Sequence, residues 1–261
     1  MAEKQMRLDK FIAEATGLTR KDAKTALNKG RVTINGMVCK DGDKKVSAGD
    51  EIYLDGRRLS EQEEFLYLML HKPAGVVSAT EDSRDRTVLD LVRECARKNA
   101  SGEKDLYRIE LGKRELFPVG RLDKDTEGLL LLTDDGELAH RLLSPKRHVD
   151  KVYYALLDGI VPDDAVKRFA EGIQVGQEYQ ALPAGLEVLS VCEAEQTSEV
   201  KITLREGKFH QVKRMCHEIG CEVTYLKRLS MGGLKLDESL EKGECRRLTA
   251  EEKDSLLNAA G

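Results

Sequence analysis

The sequence predicts an α+β protein of two parts, a small helix-and-strand unit followed by a larger domain around one mixed sheet. Three observations lead there. The first sixty residues give two short amphipathic helices and then two short strands. A polar stretch, "RRLSEQEE" at 57–64, interrupts the apolar pattern and reads as a linker. Beyond it, apolar strand-like runs bounded by glycine turns alternate with helices without a strict βαβ beat, which favours a mostly antiparallel or mixed sheet.

In the first unit, Leu8, Phe11, Ile12 and Ala15 fall on one helical face, and Gly17 is a plausible stop. Thr19 opens a second helix, with Asp22 three residues on in the pattern of a capping box. Ala23, Ala26 and Leu27 form its apolar side, Arg20, Lys21, Lys24 and Lys29 its polar side, and Gly30 its end. "RVTING" and "DEIYLDG" read as short strands closed by glycine turns.

The larger part starts on "FLYLMLHKPAG", a dense apolar strand ending at Lys72-Pro73. "VLDLVREC" reads as a helix and "NASGEKD" at 99–105 as an exposed loop. "LFPVG" and "LLLLT" read as strands, with "GRLDKDTEG" between them. Asp134-Asp135-Gly136 signals a turn, and "ELAHRLLSP" a helix stopped by Pro145. "KVYYALLDG" and "EVKITLREG" are strand-like; "HQVKRMCHEIG" is helical, with Val212, Met215, Cys216 and Ile219 on one side. A short strand and a helix capped near Thr249 end the chain.

With 261 residues, 40% hydrophobic and 34% charged, the chain can bury full cores. No run approaches the roughly 18 apolar residues of a membrane span, and the N-terminus lacks a signal-peptide core, so the expected location is cytoplasmic. The six cysteines form no C-x-x-C pair, and Cys216-His217 with Cys221 matches no zinc spacing; no metal site is expected.

The net charge of −4 argues weakly against a nucleic-acid partner, but the charge is segregated. Residues 1–50 hold eleven Lys and Arg against seven Asp and Glu. Lys201, Arg205, Lys208, Lys213 and Arg214 form a second basic island against Glu206 alone. The acids gather at 60–64 and 187–199.

Asp123 is the carboxylate that most needs explaining. It precedes the buried-strand run Leu129–Leu132, between the cations Arg121 and Lys124, with Asp125 and Glu127 adding negative charge. A bare Asp there reads first as a turn or cap residue.

Several stretches together resemble a known family. "RLDKFIAEATGLTRKDAKTALNKGRVTING" is close to the S4 RNA-binding domain. "HKPAGVVS", "FPVGRLDKDTEGLLLLTDDGELAHRLLSP", "KVYYALLDG", "EGKFHQVKRMC" and "LKRLSMGGLKLDESLEKGECRRLT" resemble, in order, a pseudouridine synthase of the small-subunit ribosomal RNA type. The resemblance implies an S4-like domain at 1–60 and a catalytic domain at 61–261. It implies an isomerase that turns one uridine of 16S ribosomal RNA into pseudouridine without cofactor or metal. The uracil N1–C1′ bond breaks, the base turns, and C5 joins C1′.

By the same resemblance Asp123 is the catalytic carboxylate, attacking sugar or base or removing a sugar proton. Lys213 is the cation that keeps it ionised, where some relatives carry arginine; its competing role is to face phosphate or solvent. Tyr153 is the residue that stacks on the target uracil, against a plain core tyrosine. Arg121 fills the gap left by the flipped base, against a structural salt bridge. Arg20, Lys21 and Lys24 meet RNA backbone, with Arg214 a further contact, against a solvated charged face.

The implied partner is ribosomal RNA or the assembling small subunit, with no membrane and a monomer as default. The ending "LKRLSMGGLKLDESLEKGECRRLT" favours the small-subunit branch, although 23S-modifying relatives share the other motifs. A non-catalytic S4-type assembly factor is the rival reading. A glycosidic-bond hydrolase is a second, and it lacks the paired carboxylate such enzymes use.

Overall fold

The computed structural model describes residues 6–16, 18–47, 49–59, 65–98, 114–144 and 147–261. The chain divides into two compact units, Met1–Glu64 and Phe65–Gly261. Gly17, the 99–105 loop and Pro145 lie outside the described residues.

In the first unit β1 (Met6–Arg7) runs into α1 (Leu8–Thr16), followed by α2 (Arg20–Asn28). Thr19 caps α2 by accepting the Asp22 N–H at 3.2 Å. The strands β2 (Val32–Ile34), β3 (Met37–Val38), β5 (Ile52–Leu54) and β6 (Arg57–Leu59) form an antiparallel sheet in the order β3-β2-β5-β6. β4 (Lys45–Val46) pairs with β1 instead. The first three residues read as linker are therefore strand. The turn Asp55-Gly56 returns the chain onto β5, and Leu59 joins the core with Leu8, Phe11, Ile12, Ala23, Ala26 and Leu27.

The second unit is built on a nine-stranded mixed sheet. Its strands are β7 (Tyr67–Lys72), β8 (Phe117–Pro118), β9 (Glu127–Thr133), β10 (Lys151–Asp158), β13 (Gly185–Cys192), β14 (Thr197–Leu204), β15 (Glu222–Met231), β16 (Leu234–Lys235) and β17 (Cys245–Arg247). The main path runs β13-β14-β10-β15-β9-β7-β17, with β8 on β9 and β16 on β15. β15 and β9 pair in parallel, and the other pairs are antiparallel. A separate hairpin joins β11 (Gln174–Val175) to β12 (Tyr179–Gln180).

β9 explains its own sequence. Leu130 and Leu132 enter one core and Leu129 and Leu131 the other, so both faces are covered and the run is uninterrupted. The first core carries α3 (Val88–Lys98), α5 (Ala165–Glu171) and α6 (Gln211–His217). The second carries α4 (Gly136–Leu143) and α7 (Ala250–Ala260). Asp135 caps α4, and Thr249 with Glu252 closes a full capping box on α7.

The parallel contact needs a glycine. Gly128 sits opposite Arg228 with φ at +104°, and a Cβ there would lie 2.2 Å from the Arg228 carbonyl oxygen.

Candidate active site

The "GRLDKDTEG" segment joins β8 to β9, and two polar side chains, half-buried Ser78 and buried Lys72, fix it. Ser78 Oγ donates to the Leu122 carbonyl at 2.9 Å and accepts the Leu122 N–H at 3.0 Å. Lys72, the last residue of β7, is fully buried. Its ammonium donates to the carbonyls of Thr126 at 2.8 Å, Asp123 at 3.0 Å and Pro73 at 3.1 Å, with Lys124 at 3.4 Å. Burial brings Lys72 down to about 8, although Asp125, Asp123 and Glu127 pull the other way. The loop is wrapped around one cation, so the Asp123 backbone is held while its carboxylate stays 27% exposed.

A cleft on the α6 side of the sheet gathers Arg121, Asp123, Tyr153, His210 and Lys213. These come from the β8–β9 loop, from β10 and from the start of α6. Strand alternation decides which tyrosine enters. Tyr153 is buried on the cleft side with Ala155 and Leu157, whereas the Tyr154 hydroxyl donates to Glu199 at 2.8 Å on the other face. Lys151, two residues before, is buried and gives its ammonium to the Val149 carbonyl at 3.2 Å.

Lys213 stands between two carboxylates, at 3.7 Å from Asp123 Oδ2 and 2.6 Å from Asp125 Oδ1. This hydrogen bond holds the Asp125 carboxyl below its ordinary range, against the opposing effect of burial. On the other side of Asp123, His210 Nε2 lies 3.7 Å from Oδ1. His210 is in the left-handed region at φ 50°, immediately before α6. The sequence reading did not select Lys72, Ser78, His210 or Asp125 for the site. "HKP" and "FHQ" were the only signals for two of them.

The remaining charges differ from their linear pattern. Lys124 does not pair with Asp123 but with Asp85, at 2.6 Å. Glu127 accepts from Tyr225 at 2.8 Å and from Lys242 at 3.0 Å. Arg121 is exposed at the cleft and makes no ion pair among the described residues. The second basic island is neutralised in space, with Lys201 on Glu187, Arg205 on Asp150, Lys208 on Glu206 and Arg214 on Glu178. Arg214 also lies over the Tyr179 ring, 5.4 Å from its centroid, and does not itself line the cleft.

In the first unit Asp9 is fully buried, 3.1 Å from Arg7 and Arg20 and 3.7 Å from Lys24. Arg20 and Lys24 are thus tied to an acid beneath them, yet both remain more than half exposed. Lys21 is exposed and makes no ion pair among the described residues.

No group of three or more His, Cys, Asp or Glu fit to hold a metal occurs among the described residues. Cys216 and Cys221 are buried, and burial pushes the Cys216 thiol up to about 12. Exposed His217 pairs with Glu222 instead.

The strand-rich unit brings an ion-paired aspartate and a buried tyrosine together in one cleft, on a chain that also carries a small two-helix unit. Residues 66–218 match the RNA pseudouridylate synthase family and residues 6–52 the S4 domain. An RNA pseudouridine synthase of Bacillus subtilis (strain 168) is 43% identical over 248 residues, covering 95% of this chain and 96% of that one. Ribosomal small subunit pseudouridine synthase A of Vibrio vulnificus (strain CMCP6) is 41% identical over 252 residues, covering 96% and 99%. Its namesake in Escherichia coli (strain K12) is 38% identical, covering 97% and 100%. A pseudouridylate synthase crystal structure is similar at 40% identity and TM-score 0.61, covering 96% of this chain and 99% of that one. The chain belongs to the RNA pseudouridine synthases that carry an N-terminal S4 domain.

Proposed function

We propose that the chain converts one uridine of small-subunit (16S) ribosomal RNA to pseudouridine, with Asp123 as the reacting carboxylate. The observation that carries the reading is the meeting of Asp123, Tyr153 and Lys213 in one cleft, from three separate segments of the chain. The small-subunit substrate follows the name of the relatives that match over nearly their whole length.

The residues divide the work by position. Asp123, held by its backbone and partly open to the cleft, acts on the sugar or base of the flipped nucleotide. Lys213, 3.7 Å from one oxygen, offsets the cost of keeping it charged once the base excludes water, and His210 flanks the other oxygen. Tyr153 offers its ring to the uracil. Arg121, exposed and unpaired among the described residues, fills the space the base vacates. The S4 unit grips RNA backbone through α2, with Lys21 and the exposed ends of Arg20 and Lys24. The domains are 1–60 and 61–261, and the enzyme works as a cytoplasmic monomer on naked ribosomal RNA or the assembling small subunit.

The test is tritium release from 5-tritiated uridine in 16S and 23S RNA, with wild type beside Asp123→Asn. Release from 16S RNA alone, abolished by the substitution, is expected. Release from 23S RNA would move the substrate and keep the chemistry. Binding without release from either RNA would overturn the catalytic reading in favour of an assembly factor.

A further inference from the structure

Phe209 has no part in the chemistry above, and its setting is unusual. It is 73% exposed, the most exposed large hydrophobic side chain among the described residues. Single exposed apolar residues are ordinary on protein surfaces. This one is held in place. Its ring stacks on His210 with centroids 3.8 Å apart and planes at 18°, and His210 in turn reaches to 3.7 Å from Asp123.

The segment bearing the ring is fixed on both sides. The Lys208 N–H donates to Gln211 Oε1 at 3.0 Å, and the Gln211 N–H donates to the Lys208 carbonyl at 3.2 Å. Lys208 Nζ sits 3.5 Å from the Tyr179 ring centroid, and Gln211 is buried against Glu206. His210 is held at φ 50°, a conformation that costs a non-glycine residue and persists only where surroundings impose it. The result is a flat aromatic face at the rim of the cleft, one side covered by His210 and the other turned to solvent.

A reaction on a stacked base requires that base to leave the helix, and its neighbours then lose a stacking partner. An exposed aromatic ring replaces such a partner for any base, because every base has a π face. Tyr153 is buried at the cleft wall and suited to the target itself; Phe209 stands outside it. We propose that Phe209 is a positioning residue that stacks on the base next to the flipped target and holds the strand at the cleft mouth. This rests on the synthase reading given above.

The full-length chain is tested with short target RNAs carrying 2-aminopurine at the 5′ or the 3′ neighbour of the uridine. Stacking on Phe209 quenches the fluorescence at one of the two positions, and Phe209→Leu removes that quench. In single-turnover tritium release, Phe209→Leu raises the half-saturating enzyme concentration about tenfold or more and leaves the limiting rate nearly unchanged, while Phe209→Trp restores binding. An abasic site at the same neighbour weakens wild type by a similar factor and does not weaken Phe209→Leu further. The ring is exposed, so an unchanged melting temperature is expected for both variants. The inference is overturned if Phe209→Leu binds and quenches as wild type does, or if its penalty and the abasic penalty multiply. Absence of tritium release in wild type would fail the synthase reading separately, and the quench would still report the stack.

Discussion

The Lys213 ammonium lies 2.6 Å from Asp125 and 3.7 Å from Asp123, so the lysine beside Asp123 makes its shorter contact with a neighbour two residues on. Asp125 is exposed, and an exposed ion pair contributes at most about 1 kcal/mol. The contact is therefore easily exchanged when substrate fills the cleft. Asp125→Asn is expected to change the single-turnover rate by no more than about fivefold, the equivalent of such a pair. Lys213→Met is expected to lower it by about a hundredfold, as for a lost electrostatic group, and Lys213→Arg to retain most of it. Equal losses in Asp125→Asn and Lys213→Met would make Asp125 the partner that matters.

Lys72 is the structural counterpart of that pair. Removing it in Lys72→Met leaves the Asp123 and Thr126 carbonyls without their buried donor, at about 1–3 kcal/mol each. The pH dependence has a definite sign. Folded Lys72 titrates at about 8 against an ordinary 10.5, so between these values the unfolded chain binds more protons. This group's contribution to stability therefore rises from pH 8 to 10.5. Urea melts of wild type and Lys72→Met across that range should show the slope in wild type only; parallel curves would show that folding leaves the Lys72 ammonium at its ordinary value.

Asp9 gives the opposite dependence. Burial pushes its carboxyl up, but hydrogen bonds from Arg7 and Arg20 outweigh burial and bring it to about 2, from an ordinary 3.8. The stabilisation is present above pH 3.8 and is lost as pH falls toward 2. It amounts to about 2 kcal/mol by the size of the shift. The stability gap between wild type and Asp9→Asn, followed by acid titration of the full chain, should narrow through that window. A gap that stays constant would show that folding does not hold the Asp9 carboxyl below its ordinary range.

Gly128→Ala places a Cβ 2.2 Å from the Arg228 carbonyl at a φ of +104°. The parallel pairing of β9 with β15 would have to open, and a loss above about 3 kcal/mol or failure to fold is expected. Gly136→Ala is the control, because nothing lies within 4 Å and the residue opens α4. Its melting temperature should be unchanged or higher.

Most of the elements were legible because their signals are local. Helical periodicity marked Leu8, Phe11 and Ile12 as one buried face, and glycine turns bounded β2 and β5. The run Leu129–Leu132 announced a strand covered on both sides. The linker was misread at its start, since Arg57 and Arg58 look like solvated linker until β5 supplies ladder partners. The second basic island was likewise a property of the line only. Its acids, Asp150, Glu178 and Glu187, come from remote segments.

The sequence by itself determined the two-unit order, through local apolar patterning, and, through its resemblance to the synthase motifs, the family and the candidate residues Asp123, Tyr153 and Lys213. Only the tertiary structure decided which charges meet. It placed Lys72 beneath the Asp123 loop across 51 residues of chain, gave Lys213 to Asp125 first, and set His210 and Phe209 at the cleft. The physical reason is range. Helix and strand preferences act over a few residues, whereas a Coulomb contact or a buried hydrogen bond depends on distances that exist only once the sheet has formed.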